Sequence, residues 1–191
     1  MLGYLKRGAI VTLAVGAVIG AALTLATDEM NKITATDAFC TSCHAMAAYV
    51  AEDPVYQRST HRVGTKGVRA GCKDCHLPDA NIVTETWVHA SMGVKDIVAL
   101  FRHDYDNPAV WNAERTRMAY TVRDRMKAND SAVCRTCHDD TAIAPETKAG
   151  RDAHEQIVKT GEKTCIQCHF NLVHAPVKPR LEFIRARNTA K

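Results

Sequence analysis

Aromatic side chains are scarce in this chain. Phe, Trp and Tyr together make up 6% of its 191 residues, so little of the bulk that usually fills a core is present. No stretch alternates apolar and polar residues convincingly as a strand does, which sets sheet folds aside. No glycine-rich phosphate loop, nucleophile triad or substrate-binding fingerprint occurs. Chemistry on a terminal substrate must therefore happen on another protein. The net charge is only +4, and basic residues do not interleave with aromatics, which argues against a nucleic-acid partner. Finally, no cysteine stands alone.

All eight cysteines fall in four copies of one pentapeptide: Cys40-Thr-Ser-Cys43-His44, Cys72-Lys-Asp-Cys75-His76, Cys134-Arg-Thr-Cys137-His138 and Cys165-Ile-Gln-Cys168-His169. C-x-x-C-H is the attachment signature of haem c. The two thiols join the porphyrin as thioethers, and the following His ligates the iron. The eight cysteines thus read as covalent anchors of four haems c. His44, His76, His138 and His169 read as one axial ligand each. Zinc ribbons and thioredoxin-like pairs also use C-x-x-C. Neither requires a His after the second Cys, and here that His is present in every copy. A chain with four haems is an electron carrier: the cofactor supplies the redox chemistry, and the protein positions it and tunes its potential.

Residues Ala9 to Ala26 are apolar apart from Thr12 and Thr24. This is the length of a short membrane-spanning helix, and Leu2, Tyr4 and Leu5 extend it. Lys6 and Arg7 precede the segment, while Asp28 and Glu29 follow it. The positive-inside rule then puts the N-terminus in the cytoplasm and everything beyond residue 30 in the periplasm. A cleaved signal peptide ending near Thr24-Leu25-Ala26 is the alternative; the length of the apolar stretch favours an uncleaved single-pass anchor in the inner membrane. Gly16 and Gly20 form a G-x-x-x-G pair, the feature that leaves a homo-oligomer open beside a complex with a redox partner.

The chain is read as an anchor, 1–30, and a tetrahaem domain, 31–191. The domain divides into one haem pair at 31–106, a second at 107–177 and a basic tail at 178–191. Cys72 follows Cys40 by 32 positions and Cys165 follows Cys134 by 31, while 62 separate Cys72 from Cys134. A two-haem unit used twice explains this, with closely stacked haem pairs as its consequence. About 40 residues per haem is too little protein for an ordinary core, so the haems form it. Apolar residues recur at helical steps from Ile82 to Phe101. Asn107-Pro108 breaks the pattern, Ala109 to Lys127 is a second helix, and Pro145 to Lys159 a third. The expected fold is mainly α with much irregular structure. Lys178, Arg180, Arg185, Arg187 and Lys191 make the tail basic: a solvated segment, or a docking surface for an acidic redox partner or anionic lipid headgroups.

With these features assembled, the chain resembles the NapC/NirT family of membrane-anchored tetrahaem cytochromes, which includes the NapC, NrfH and CymA types of quinol dehydrogenase. The resemblance rests on the anchor, the paired haem sites and local matches. These are Thr36-Asp37-Ala38-Phe39, Gly71-Cys72-Lys73-Asp74-Cys75-His76-Leu77-Pro78, Lys95-Asp96, Asn129-Asp130-Ser131 and His174-Ala175-Pro176. It implies distal iron ligands at His61, His154 and His174. His174 stands too close to His169 to share its iron without a tight loop. The expectation is that His174 serves a neighbouring haem, with His61 on haem four and His154 and His174 on haems two and three in either order. The resemblance also implies that Met46 ligates haem one in place of His44, and that Asp96 overlies that haem's open face. A Lys common in relatives is replaced here by His89, so His89 or Lys95 takes the quinone hydrogen bond. Trp87 is placed at the lipid headgroups, and His103 has no role.

The function so implied is oxidation of membrane quinol, menaquinol or ubiquinol, with Asp96 taking a proton. The electrons pass to a periplasmic nitrate or nitrite reductase or to a soluble cytochrome. Two alternatives stand beside it: the same module feeding electrons into the quinone pool, and a tethered wire with no quinone site.

Overall fold

The computed structural model describes residues 2–64, 67–155 and 160–188. Among the described residues every regular element is helical and none is a strand. The first helix, α1 (Leu2–Thr34), is solvent-exposed along nearly all its apolar length. Its residues 7–34 are long and apolar enough to cross a membrane. At about 1.5 Å per residue the whole helix is roughly 50 Å long, against a hydrocarbon core of about 30 Å. It runs past the expected boundary at residue 30 because polar pairs carry it: Lys32 bridges Asp28 at 2.6 Å, one helical turn back. At this outer end Asn31 is buried and donates to Thr86 Oγ1 at 2.6 Å. The anchor is thereby bonded to the haem domain.

Short helices then carry the attachment motifs. They are α2 (Asp37–Cys40), α3 (His44–Met46) with a π turn at Ala47–Ala51, α4 (Pro54–Arg58), α5 (Thr60–Val63) and α6 (Cys72–His76). Two long helices follow, α7 (Ile82–Arg102) and α8 (Pro108–Ala128), close to the extents that the apolar spacing implies. Asn81 caps α7, and Asn107 caps α8 with Pro108 in the first turn. The chain continues with α9 (Ala132–Arg135), α10 (Lys148–Ala153), α11 (Cys165–Cys168) and α12 (Leu181–Asn188).

The third expected helix, Pro145 to Lys159, is shorter at its start. Thr147 Oγ1 accepts from Gly150 N and so begins α10 beyond Pro145. The α-helical turns end at Ala153, and His154 and Glu155 continue in a π turn; residues 156–159 lie outside the described ones. The basic C-terminal segment is a docked helix rather than a loose tail. Arg180 pairs with Asp124 at 2.9 Å and lies 4.0 Å from the centre of the Tyr120 ring. Lys127 reaches Glu182 at 2.8 Å. Lys191 lies outside the described residues.

Helix α8 is the spine. Near its start Trp111 is buried with Ala45 and Tyr105, and Tyr49 stacks on it at 5.0 Å. Further along, Tyr120 is buried with Phe170 and Phe183. Arg115 donates to Ala175 O at 2.6 Å and Arg125 to His76 O at 3.0 Å. Buried Arg123 donates to Asn171 Oδ1 at 2.5 Å. One helix thus touches segments from every part of the domain. Its cationic face reads as solvated, but three of its arginines are internal fasteners.

The aromatic clusters are small, as expected of a domain whose core is the cofactor. Phe183 is fully buried and meets both Tyr120 and Phe170 edge-on, with ring centres 5.2 and 5.8 Å away. Phe183→Ala is expected to lower stability by about 3–5 kcal/mol. Chemical denaturation of the holoprotein, followed through the haem absorbance, checks this.

Candidate functional site

Each haem motif is set by local hydrogen bonds. Thr36 Oγ1 accepts from Phe39 N at 3.2 Å and starts α2 so that Cys40 ends it. In α6, Asp74 Oδ2 accepts from Gly71 N at 2.7 Å. The equivalent bond in α11 runs from Thr164 N to Gln167 Oε1 at 2.9 Å. None of the eight cysteines is in a disulfide. Helix α2 packs against α6, bringing the first motif to the second, and α6 packs against α9, which carries the third. Among the described residues no three Cys, His, Asp or Glu side chains converge as a zinc ion requires.

The histidines are paired. His76 and His174 have ring centres 6.1 Å apart, His61 and His138 6.1 Å, and His154 and His169 6.0 Å. Two imidazoles sharing one metal ion each hold a nitrogen about 2 Å from it, which sets their ring centres roughly 6 Å apart. The three pairs therefore have the spacing of axial ligands on either side of an iron. The pairing differs from the sequence expectation in two places. His61 faces the third motif rather than the fourth, because α6 of the second motif packs against α9 of the third. His154 faces the fourth, which α11 carries just beyond the turn at Gly161, φ +73°. His174 faces the second motif.

The electrostatics fit ligation. Burial drives His76 down to a pKa of about 4, with His174 and Arg125 adding to the effect. Burial likewise lowers His169 and His174. Neutral imidazole is the form that binds a metal. His154 Nδ1 is buried with no protein partner. The residues present thus fit a haem at motifs two, three and four. At motif one, His44 is exposed. Met46 packs against the Ala45–Tyr105–Trp111 cluster, just before the π turn. Single π turns recur at functional sites.

Helix α7 has two faces. His89, Met92, Asp96 and Ala99 share one by helical spacing. This face turns inward: Met92 Sδ lies 2.6 Å from Arg125 Nη1, and Ala99 packs on the cluster that Met46 also touches. Lys95 is exposed, about a quarter-turn away from Asp96. The opposite face carries Val83, Trp87, Val94, Ile97 and Phe101, all exposed, Trp87 by 74% and Phe101 by 89%. Asp96 keeps solvent access, yet the protein around it raises its carboxyl pKa by desolvation, with the Arg125 guanidinium pulling the other way. His103 stacks on Tyr105 at 5.3 Å, a packing role. Sequence reading misses Arg125, whose type in a cationic helix carries no signal.

The chain was compared with known proteins. The profile of the NapC/NirT cytochrome c family, N-terminal region, matches residues 4–179. A tetraheme cytochrome c-type protein of Nitrosomonas europaea is 37% identical over 175 residues, covering 91% of this chain and 72% of that protein. The cytochrome c-type protein TorY of Escherichia coli O157:H7 is 34% identical over 93% of this chain, which spans 48% of TorY's length. The cytochrome c-type protein NapC of Haemophilus influenzae is 36% identical over 74% of this chain and 68% of its own. No solved structure matches.

Asp96 has a folded pKa above its unfolded value, so folding favours the protonated form. Stability from this source is full below a pH of about 4 and is lost as pH rises through the raised value. Asp96→Asn removes that loss. Thermal melts of the holoprotein are expected to coincide for the two chains near pH 4, with the Asn variant melting higher near pH 8.

Proposed function

Because this chain belongs to the NapC/NirT cytochrome c family, we propose that it is a membrane-anchored quinol dehydrogenase that delivers electrons to a periplasmic reductase of the nitrate or nitrite type. It is a tetrahaem electron-transfer cytochrome. Four haems c, held through the eight cysteines, supply the one-electron chemistry. His76 with His174, His138 with His61 and His169 with His154 hold three of the irons. Met46, or His44, holds that of haem one.

The observation that carries the quinol reading is the division of α7. Its apolar face looks outward, it is bonded to the membrane helix through Asn31 and Thr86, and its other face bears His89 and Asp96. A helix so divided lies along a membrane surface, with Trp87 at headgroup depth. Quinol oxidation releases protons, so the site needs a base that holds one near neutral pH. Desolvation prepares Asp96 for this, and Arg125 keeps its ionised form within reach. His89, two turns earlier on the same face, is the hydrogen-bond partner for a quinol oxygen. Lys95 attracts the anionic headgroups beside it. Lys6 and Arg7 orient the N-terminus to the cytoplasm, so the haem domain is periplasmic.

Stopped-flow mixing of the oxidised protein with a menaquinol or ubiquinol analogue tests the reading. Rapid haem reduction is expected, slowed about 100-fold in Asp96→Asn. Reduction by a soluble donor such as dithionite is expected to be unchanged. If quinol fails to reduce the haems while the soluble donor succeeds, the protein is a tethered wire.

A further inference from the structure

The two haem pairs are each fastened by a side chain three residues before the first cysteine of the pair. Asp37 precedes Cys40 by three positions, and Ser131 precedes Cys134 by three. Asp37 Oδ1 accepts from Cys72 N at 2.8 Å. Ser131 Oγ accepts from Ile166 N at 3.1 Å. Both bonds end on a first-turn N–H of the second motif's helix, α6 or α11, which has no partner within its own helix. Each helix spends its own Asp74 or Gln167 on the N–H of its N-cap residue, Gly71 or Thr164. The cap on a donor further into the first turn, Cys72 N in α6 and Ile166 N in α11, comes from the other motif of the pair.

The surroundings hold both side chains to this task. Ser131 is fully buried, stands at φ +54° and caps nothing in its own helix α9. A non-glycine residue in that conformation is uncommon. Asp37 is steadied by Arg62 at 3.4 Å, whose guanidinium lies over the Tyr56 ring at 5.4 Å. Gly71 leaves the room: a Cβ there would come within 2.8 Å of Asp37 Oδ1. Its backbone, at φ −91°, suits any residue, so the glycine answers to space rather than to conformation.

We propose that Asp37 and Ser131 are positioning residues that set the register of each haem pair, and so the electronic coupling between its two haems. Each does so by capping, from the first motif, the helix that carries the second. A bond of this kind contributes about 1 kcal/mol, or 1.5–3 when charged as at Asp37. That is small against covalent haem attachment, so the cap decides how the pair sits rather than whether haem is held. The inference needs the haem sites but not the quinol reading, and it holds whatever reduces the protein.

The test uses the full-length holoprotein in detergent. Haem content is read as the pyridine haemochromogen, and coupling as the exciton couplet in the Soret circular dichroism. With four haems bound, Asp37→Ala and Ser131→Ala are each expected to lower the couplet about twofold, and the double variant to remove most of it, as separate sites should. Asp37→Asn keeps the acceptor oxygen and is expected to keep the couplet. An unchanged couplet in both alanine variants at full haem content overturns the proposal, and so does a loss in Asp37→Asn as large as in Asp37→Ala. Should Asp37→Ala not retain four haems, Gly71→Ala displaces the same carboxylate from the other side. A wild-type couplet there overturns the proposal, and a halved one sustains it.

Discussion

Three pairs of imidazole rings stand about 6 Å apart, the spacing set by two nitrogens on one metal ion. Much of the rest of the domain serves that distance. Each ring of a pair comes from a different stretch of chain, so each pair closes a loop. His61 joins the segment before the second motif to the third, His174 joins the C-terminal segment to the second, and His154 closes on the fourth. Protein packing is light by comparison. The two aromatic clusters leave the attachment helices without much apolar support of their own. A chain with so few contacts between its helices depends on the crosslinks that iron provides.

The parts legible in the sequence were those with a period or a fixed motif. The haem anchors, α7 and α8 follow from spacing and from the Asn caps, because helix signals are local. The pairing of His61 and His154 was not legible, although each stands 11 positions before the first cysteine of a second motif. Equal offsets suggest equal partners, but the packing of α6 on α9 brings the third motif to His61 while His154 faces its own. Arg115, Arg123 and Arg125 were invisible for another reason. A guanidinium bonded to a carbonyl or an amide inside the domain has the same letter as one in water. The caps at Asp37 and Ser131 did leave a trace, their shared position three residues before a cysteine, but a trace of that kind acquires meaning only once the partner N–H is known.

The repeat is close in its fastening and broken in its histidine pairing. Both pairs cap the second helix from three residues before the first cysteine, on Cys72 N in one and Ile166 N in the other, and both second helices bond their own N-cap N–H. Yet one distal ring of the first unit is given to the second, and the His174 ring of the second unit to the first. This exchange makes the two units interdependent. Neither unit pairs all its motif histidines with rings of its own.

The hydrogen bond from Asn31 to Thr86 joins the outer end of the membrane helix to α7, within a turn of where the helix leaves the lipid. A domain hung on a slack linker sweeps a hemisphere and finds its partners by searching. A domain bolted at its base does not search. Its orientation follows that of the membrane helix, so the protein that receives the electrons must come to it.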